Sequence, residues 1–138
     1  MRETFRAIAL CWLCGTLAPQ AFALTPMPLL DTVWGWHATT AVDGKRVVVD
    51  APERYTLQLL SDGTVRVRAD CNHGSGRYQS NDVELRFGPI ATTKRGCPAG
   101  SRGDEFLASI ARSDSYRFEG IDLVVSGDGG TSLRFRPR

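Results

Sequence analysis

Histidine and cysteine are scarce in this 138-residue chain, with two of the former and four of the latter. Cys11 and Cys14 fall in the N-terminal apolar stretch, so only Cys71 and Cys97 stand beyond it. Their spacing does not match a C-x-x-C zinc or thioredoxin motif. There is no G-x-x-x-x-G-K-[ST] phosphate loop and no dinucleotide fingerprint after a strand, which removes the common nucleotide sites. No apolar run reaches the roughly 20 residues that cross a bilayer comfortably. Low-complexity segments and internal repeats are missing too. Charge of one sign is also lacking: the formal net charge is +2. It falls to about +1 without Arg2, Glu3 and Arg6, a balance that gives no support for nonspecific nucleic-acid binding.

Catalytic material is correspondingly thin. A nucleophilic triad needs a hydroxyl or thiol, a base and an orienting group brought together. Ser75, His73 and Asp70 are close in sequence, but no nucleophile-elbow pattern surrounds Ser75. His37 follows Trp36 near an expected strand end and reads as a strand-edge polar residue. His73 reads as a solvated loop residue. The expectation is a non-catalytic protein with no cofactor and no metal.

The N-terminus sets the compartment. Arg2 and Arg6 make a positive start, Ala7 to Leu17 is apolar, and Ala21-Phe22-Ala23 is a small-x-small cleavage site. This pattern reads as a secretory signal peptide over residues 1–23, cleaved near Ala23. Cys11 and Cys14 follow leucines, where a lipoprotein signal wants a small residue. Residues 24–28, with two prolines, form a short tether, and 29–138 is one small domain, expected to be monomeric, periplasmic or secreted, and not membrane-spanning. In an oxidising compartment Cys71 and Cys97 are expected to pair. Such a bridge stabilises by roughly 3–4 kcal/mol on the chain-entropy estimate. The competing reading is a redox or metal site in which His73 joins the two thiols.

Alternation dominates the domain. Leu30 to Trp36 reads as the first strand, and Arg46 to Asp50 is a β-branched run ended by Pro52. Tyr55, Leu57 and Leu59 alternate with polar residues and meet the Asp62-Gly63 turn. Val65, Val67 and Ala69 return antiparallel, a hairpin signal. Gly74-Ser75-Gly76 reads as a turn. Further strands carry Leu85 and Phe87, Tyr116 and Phe118, Leu123 to Val125, and Leu133 with Phe135. Gly103 to Arg112 alone has helical spacing, with Asp104 and Glu105 at the end where a helix dipole favours them. The fold class is mainly β (α+β): an antiparallel barrel or half-barrel of about 7–8 strands with one short α-helix. Trp34 and Trp36 share a strand face and read as core packing, with an exposed aromatic floor for a ligand as the alternative.

With these residues in place the chain resembles the META-domain family, the HslJ-like group that includes a bacterial heat-shock protein. The resemblance rests on Leu30-Asp31-Thr32-Val33-Trp34, on Cys71-Asn72 with Gly76 and Tyr78, on Thr93 with Cys97, and on Leu133-Arg134-Phe135. Asp70 departs from the pattern, which has glycine before the cysteine. The resemblance implies a small exported β-rich domain with one helix, envelope or stress-tolerance roles, and no established catalytic residues. A shorter likeness, Ser75-Gly76-Arg77-Tyr78, is similar to a loop of the periplasmic C-type lysozyme inhibitors. That reading would send the loop into the lysozyme cleft, with Arg77 or Ser75 meeting its catalytic carboxylates.

The arginines suggest a surface. Arg66 and Arg68 alternate with valines, Arg86 alternates beside Leu85 and Phe87, and Arg134 and Arg136 flank Phe135, so all five point away from the core. Together with Arg77 and Tyr78 they form the candidate binding set, for an envelope protein or an anionic envelope component. The plainer reading is a solvated face partly neutralised by Glu84 and Asp70.

Overall fold

The computed structural model describes residues 28–138. The expected signal peptide, and the tether up to residue 27, lie outside the described residues.

Among the described residues the alternating segments become nine antiparallel strands: β1 (Val33–Thr40), β2 (Arg46–Val48), β3 (Tyr55–Leu59), β4 (Thr64–Ala69), β5 (Asn72–Ser80), β6 (Leu85–Thr92), β7 (Ser113–Glu119), β8 (Asp122–Gly127) and β9 (Ser132–Pro137). Eight of them run in the order β6-β5-β4-β3-β1-β9-β8-β7, while β2, among the described residues, pairs only with β1. The sheet curls so that its two ends approach. Tyr116 N–H donates to the Val83 carbonyl at 2.9 Å, and Glu84 bridges Ser115. The result is the half-barrel that one-sided alternation requires.

The strictest example is β4, where Val65, Val67 and Ala69 are buried and Arg66 and Arg68 are exposed. Facing it, β3 buries Tyr55, Leu57 and Leu59. The helix α1 (Gly103–Ala111) supplies Phe106 and Ile110 to the same interior. It touches β4, β6 and β8 and so plugs the curl. Phe106 stacks on Trp36 with ring centroids 5.4 Å apart, and Tyr55 meets Trp36 edge-on at 5.6 Å. The Arg102 guanidinium lies 4.6 Å over the Trp36 ring and is held there by a fork of bonds to Glu105. Trp34 and Trp36 are fully buried, so they are core and not a ligand floor.

Two expected segments differ. The first strand starts later and runs further than Leu30 to Trp36. Asp31 takes a left-handed φ of 61°, which breaks the chain direction and leaves Leu30 with only an isolated bridge to Leu59. Residues 38–40 extend β1 because they pair with β9 on one side and β2 on the other.

The second correction concerns Gly74-Ser75-Gly76, which is no turn but the middle of β5, paired to β4 and β6. A Cβ on Gly74 would lie 2.5 Å from the Ala91 carbonyl oxygen, and one on Gly76 2.6 Å from that of Pro89. These glycines serve close backbone approach rather than chain reversal. Ser75 to Tyr78 is therefore a strand held on both edges, not a loop free to enter a cleft. His73 likewise sits on a strand.

Candidate functional site

The outer face of β4 and β5 follows from their register. Arg66 stands opposite Ser75, Arg68 opposite His73, and Thr64 opposite Arg77. The three arginines and His73 are all exposed. On the other flank Arg66 faces Gln58 and Arg68 faces Thr56, both uncharged. Arg68 Nε donates to the Asp70 carbonyl at 3.1 Å. The other two act electrostatically on Asp62, at the β3–β4 turn. Its carboxyl is held low first by its hydrogen bonds from Thr64 and then by Arg77 and Arg66.

The remaining candidates lie elsewhere. Arg134 and Arg136 are on β9, separated from β4 by β3 and β1. Both reach Asp122, at 2.9 and 3.5 Å, and Arg134 also binds Glu119. Arg86 pairs with Glu84 at 3.4 Å. Arg54, Arg102, Arg117 and Arg138 have carboxylate partners as well. Among the described residues Arg66, Arg68 and Arg77 have none within 4.0 Å. Geometry thus splits the arginine set: Arg66, Arg68 and Arg77 stand together and open, while Arg86, Arg134 and Arg136 are engaged. The Tyr78 hydroxyl donates to the Leu60 carbonyl at 2.7 Å, tying β5 to the neighbouring turn.

Sequence reading missed the work of Asn72. Cys71 and Cys97 form a disulfide with Cα atoms 5.5 Å apart. The adjoining Asn72 carboxamide oxygen accepts from the Thr93 hydroxyl at 2.8 Å and the Arg95 N–H at 2.7 Å, while its amide donates to the Arg95 carbonyl at 3.0 Å. The Cys-Asn and Thr-x-x-x-Cys elements are thus two halves of one clasp on the β6–α1 loop. That loop carries exposed Lys94 and Arg95 beside a groove of about 450 Å³ that Leu107 and Asp104 also line.

Arg54 was missed as well, and the Asp70 departure was its signal. Asp70 sits in the two-residue β4–β5 turn at φ 62°, the left-handed region that explains the expected glycine. Its carboxylate is buried and bonded to Arg54 Nε at 2.7 Å. The Ser101 hydroxyl and then Arg54 hold this carboxyl below its usual range, against the cost of burial. Its Oδ2 accepts no hydrogen bond, so Ser101 acts as a nearby dipole rather than a closed bond. A depressed carboxyl stabilises the fold above its unfolded pKa of about 3.9 and loses that contribution as pH falls through the lower folded value. Asp70→Asn keeps the left-handed turn accessible but strands Arg54. It should cost about 2 kcal/mol at pH 7, discounted because Arg54 is partly exposed. The gap to the parent should narrow below about pH 4, which urea unfolding across pH would read directly.

No hydrogen bond joins the Asp70, His73 and Ser75 side chains. His37 is half-buried on β1, where burial and then Arg136 lower its pKa. Among the described residues no group of three His, Cys, Asp or Glu side chains could hold a metal ion. Among them, too, no helix is long and apolar enough to cross a membrane.

A family model described as META domain matches residues 29–138. Two solved structures share the fold. An NMR structure of a protein from Burkholderia xenovorans is 24% identical, with a TM-score of 0.65 over 88% of this chain and 97% of its own. A crystal structure of a DUF4847 family protein from Bacteroides vulgatus is 14% identical, with a TM-score of 0.56 over 78% of this chain and 93% of its own. At these identities the likeness shows the fold alone. No curated protein matches the chain.

Proposed function

The chain belongs to the META-domain family, and from that premise we propose that it is an exported, non-catalytic module of the cell envelope that binds an anionic envelope component through Arg66, Arg68 and Arg77. Export is supported by the basic, apolar and small-x-small order of residues 1–23 and by a disulfide suited to an oxidising compartment. On this reading the periplasmic or secreted form begins near Leu24, and its loss lowers tolerance to envelope stress.

One observation carries the binding role. Among the described residues three exposed guanidinium groups stand on adjacent strands with no carboxylate within 4.0 Å, while the arginines of β6, β7 and β9 are paired. A planar guanidinium binds phosphate or carboxylate through two parallel hydrogen bonds. An unpaired one need not first give up an internal partner. The phosphates of lipopolysaccharide fit this chemistry.

Binding of the exported chain to lipopolysaccharide vesicles should exceed binding to neutral phosphatidylcholine vesicles. It should weaken steadily between about 0.05 M and about 0.5 M salt as screening shortens the reach of surface charge. Equal binding to both vesicles, or binding indifferent to salt, would overturn the reading.

A further inference from the structure

The loop between β6 and α1 encloses more than a clasp. Both of its limbs line the groove of about 450 Å³: Thr93 to Cys97 where the chain leaves β6, and Ser101, Gly103 and Asp104 where it enters α1. Small-molecule sites typically occupy about 300–1,000 Å³. The first limb is fixed from below. Asn72 accepts from the Arg95 N–H at 2.7 Å and donates to the Arg95 carbonyl at 3.0 Å, and the disulfide anchors Cys97. These bonds use only the main chain of Arg95, so its side chain and that of Lys94 stay exposed. The second limb is fixed by the helix, whose Phe106 and Ile110 are buried. Leu107 packs against the core while lining the groove, and gives it an apolar surface.

The charges of the groove are sorted by limb. Lys94 and Arg95 line the first and Asp104 the second. Among the described residues none of the three has an oppositely charged group within 4.0 Å. The neighbouring charges are engaged: Glu105 forks with Arg102, which lies over Trp36. We infer that this groove binds a short zwitterionic peptide, its carboxylate on Arg95 and Lys94, its ammonium on Asp104 and an apolar side chain on Leu107. A ligand of one sign would be attracted by one limb and repelled by the other, whereas a peptide with free termini complements both. A planar guanidinium takes a carboxylate through two parallel hydrogen bonds. The site is separate from the anion-binding face, since none of Arg66, Arg68 and Arg77 lines it.

Amide NMR titration of the exported chain with the tripeptide Ala-Leu-Ala tests it. Signals of residues 93–97 and 101–107 should shift, with a Kd of the order of 0.1–1 mM. Acetylating the peptide's N-terminus or amidating its C-terminus should each weaken binding about fivefold or more. Arg95→Glu should weaken the free peptide by a similar factor and make binding indifferent to amidation. Asp104→Asn should do the same for acetylation, because each pairing is then already lost. A purely structural role for either side chain would not produce that selectivity. The capped peptides need no variant, so the comparison stands even if a variant folds poorly. No shift at about 10 mM peptide, shifts confined to other residues, or equal binding of free and capped peptides would overturn the inference.

Discussion

Trp36→Ala should lower the unfolding free energy by about 4 kcal/mol, a large share of the 5–15 kcal/mol typical of such a domain. Trp36 is fully buried and is the ring on which Phe106, Tyr55 and Arg102 converge. Removing it empties the place where the helix meets the sheet, and neighbours held by both α1 and β3 cannot all collapse inward. Trp36→Phe is the telling contrast. It keeps an aromatic ring and deletes an indole N–H that has no hydrogen-bond partner, so its cost should stay below about 1.5 kcal/mol. Chemical denaturation midpoints at constant slope would give both values. A cost below about 1 kcal/mol for the alanine variant would mean that the core is not organised around this ring.

Cys71→Ala with Cys97→Ala should cost about 3–4 kcal/mol, because the bridge closes a long loop in the unfolded chain. The cysteines are separated by 26 positions. For a domain of this length the loss corresponds to a melting temperature lower by roughly 15 °C. Reductant should bring the parent down by a similar amount and leave the double variant unmoved. Intact mass should rise by two hydrogens on reduction. Thiols already alkylatable in the native exported protein would contradict the pairing. Asn72→Ala should leave the bridge in place yet loosen the Thr93–Cys97 loop, whose polar groups it satisfies.

These two sites mark the division between what was legible in the residues and what was not. The alternation of Val65, Val67 and Ala69 with Arg66 and Arg68 was readable because one face of β4 is buried and the other wet. The helix over Gly103–Ala111 was readable for the same reason at the other period. Gly74 and Gly76 misled because glycine marks both a turn and a close strand approach, and only the neighbouring β6 backbone distinguishes the two. The extension of β1 through Thr40 was hidden because its partners, β2 and β9, are distant in the chain.

For the site, outward direction was legible from alternation but ion pairing was not. Arg66 and Arg134 look alike in sequence. Strand order places Arg134 beside Glu119 and Asp122, and leaves Arg66 among Gln58 and Ser75. The Arg54–Asp70 pair was likewise invisible, since it joins the end of one turn to another across β3 and β4.

The binding role is tested most directly by two triple variants of equal charge. One is Arg66→Gln, Arg68→Gln and Arg77→Gln. The other is Arg86→Gln, Arg117→Gln and Arg134→Gln, drawn from the paired arginines. Both are compared with the parent for lipopolysaccharide binding, with circular dichroism confirming the fold. The open-face variant should bind at least about tenfold more weakly and with a shallower salt dependence, while the paired-arginine variant stays within about threefold. Equal losses in the two variants, or undiminished binding by the open-face variant, would contradict a specific role for Arg66, Arg68 and Arg77.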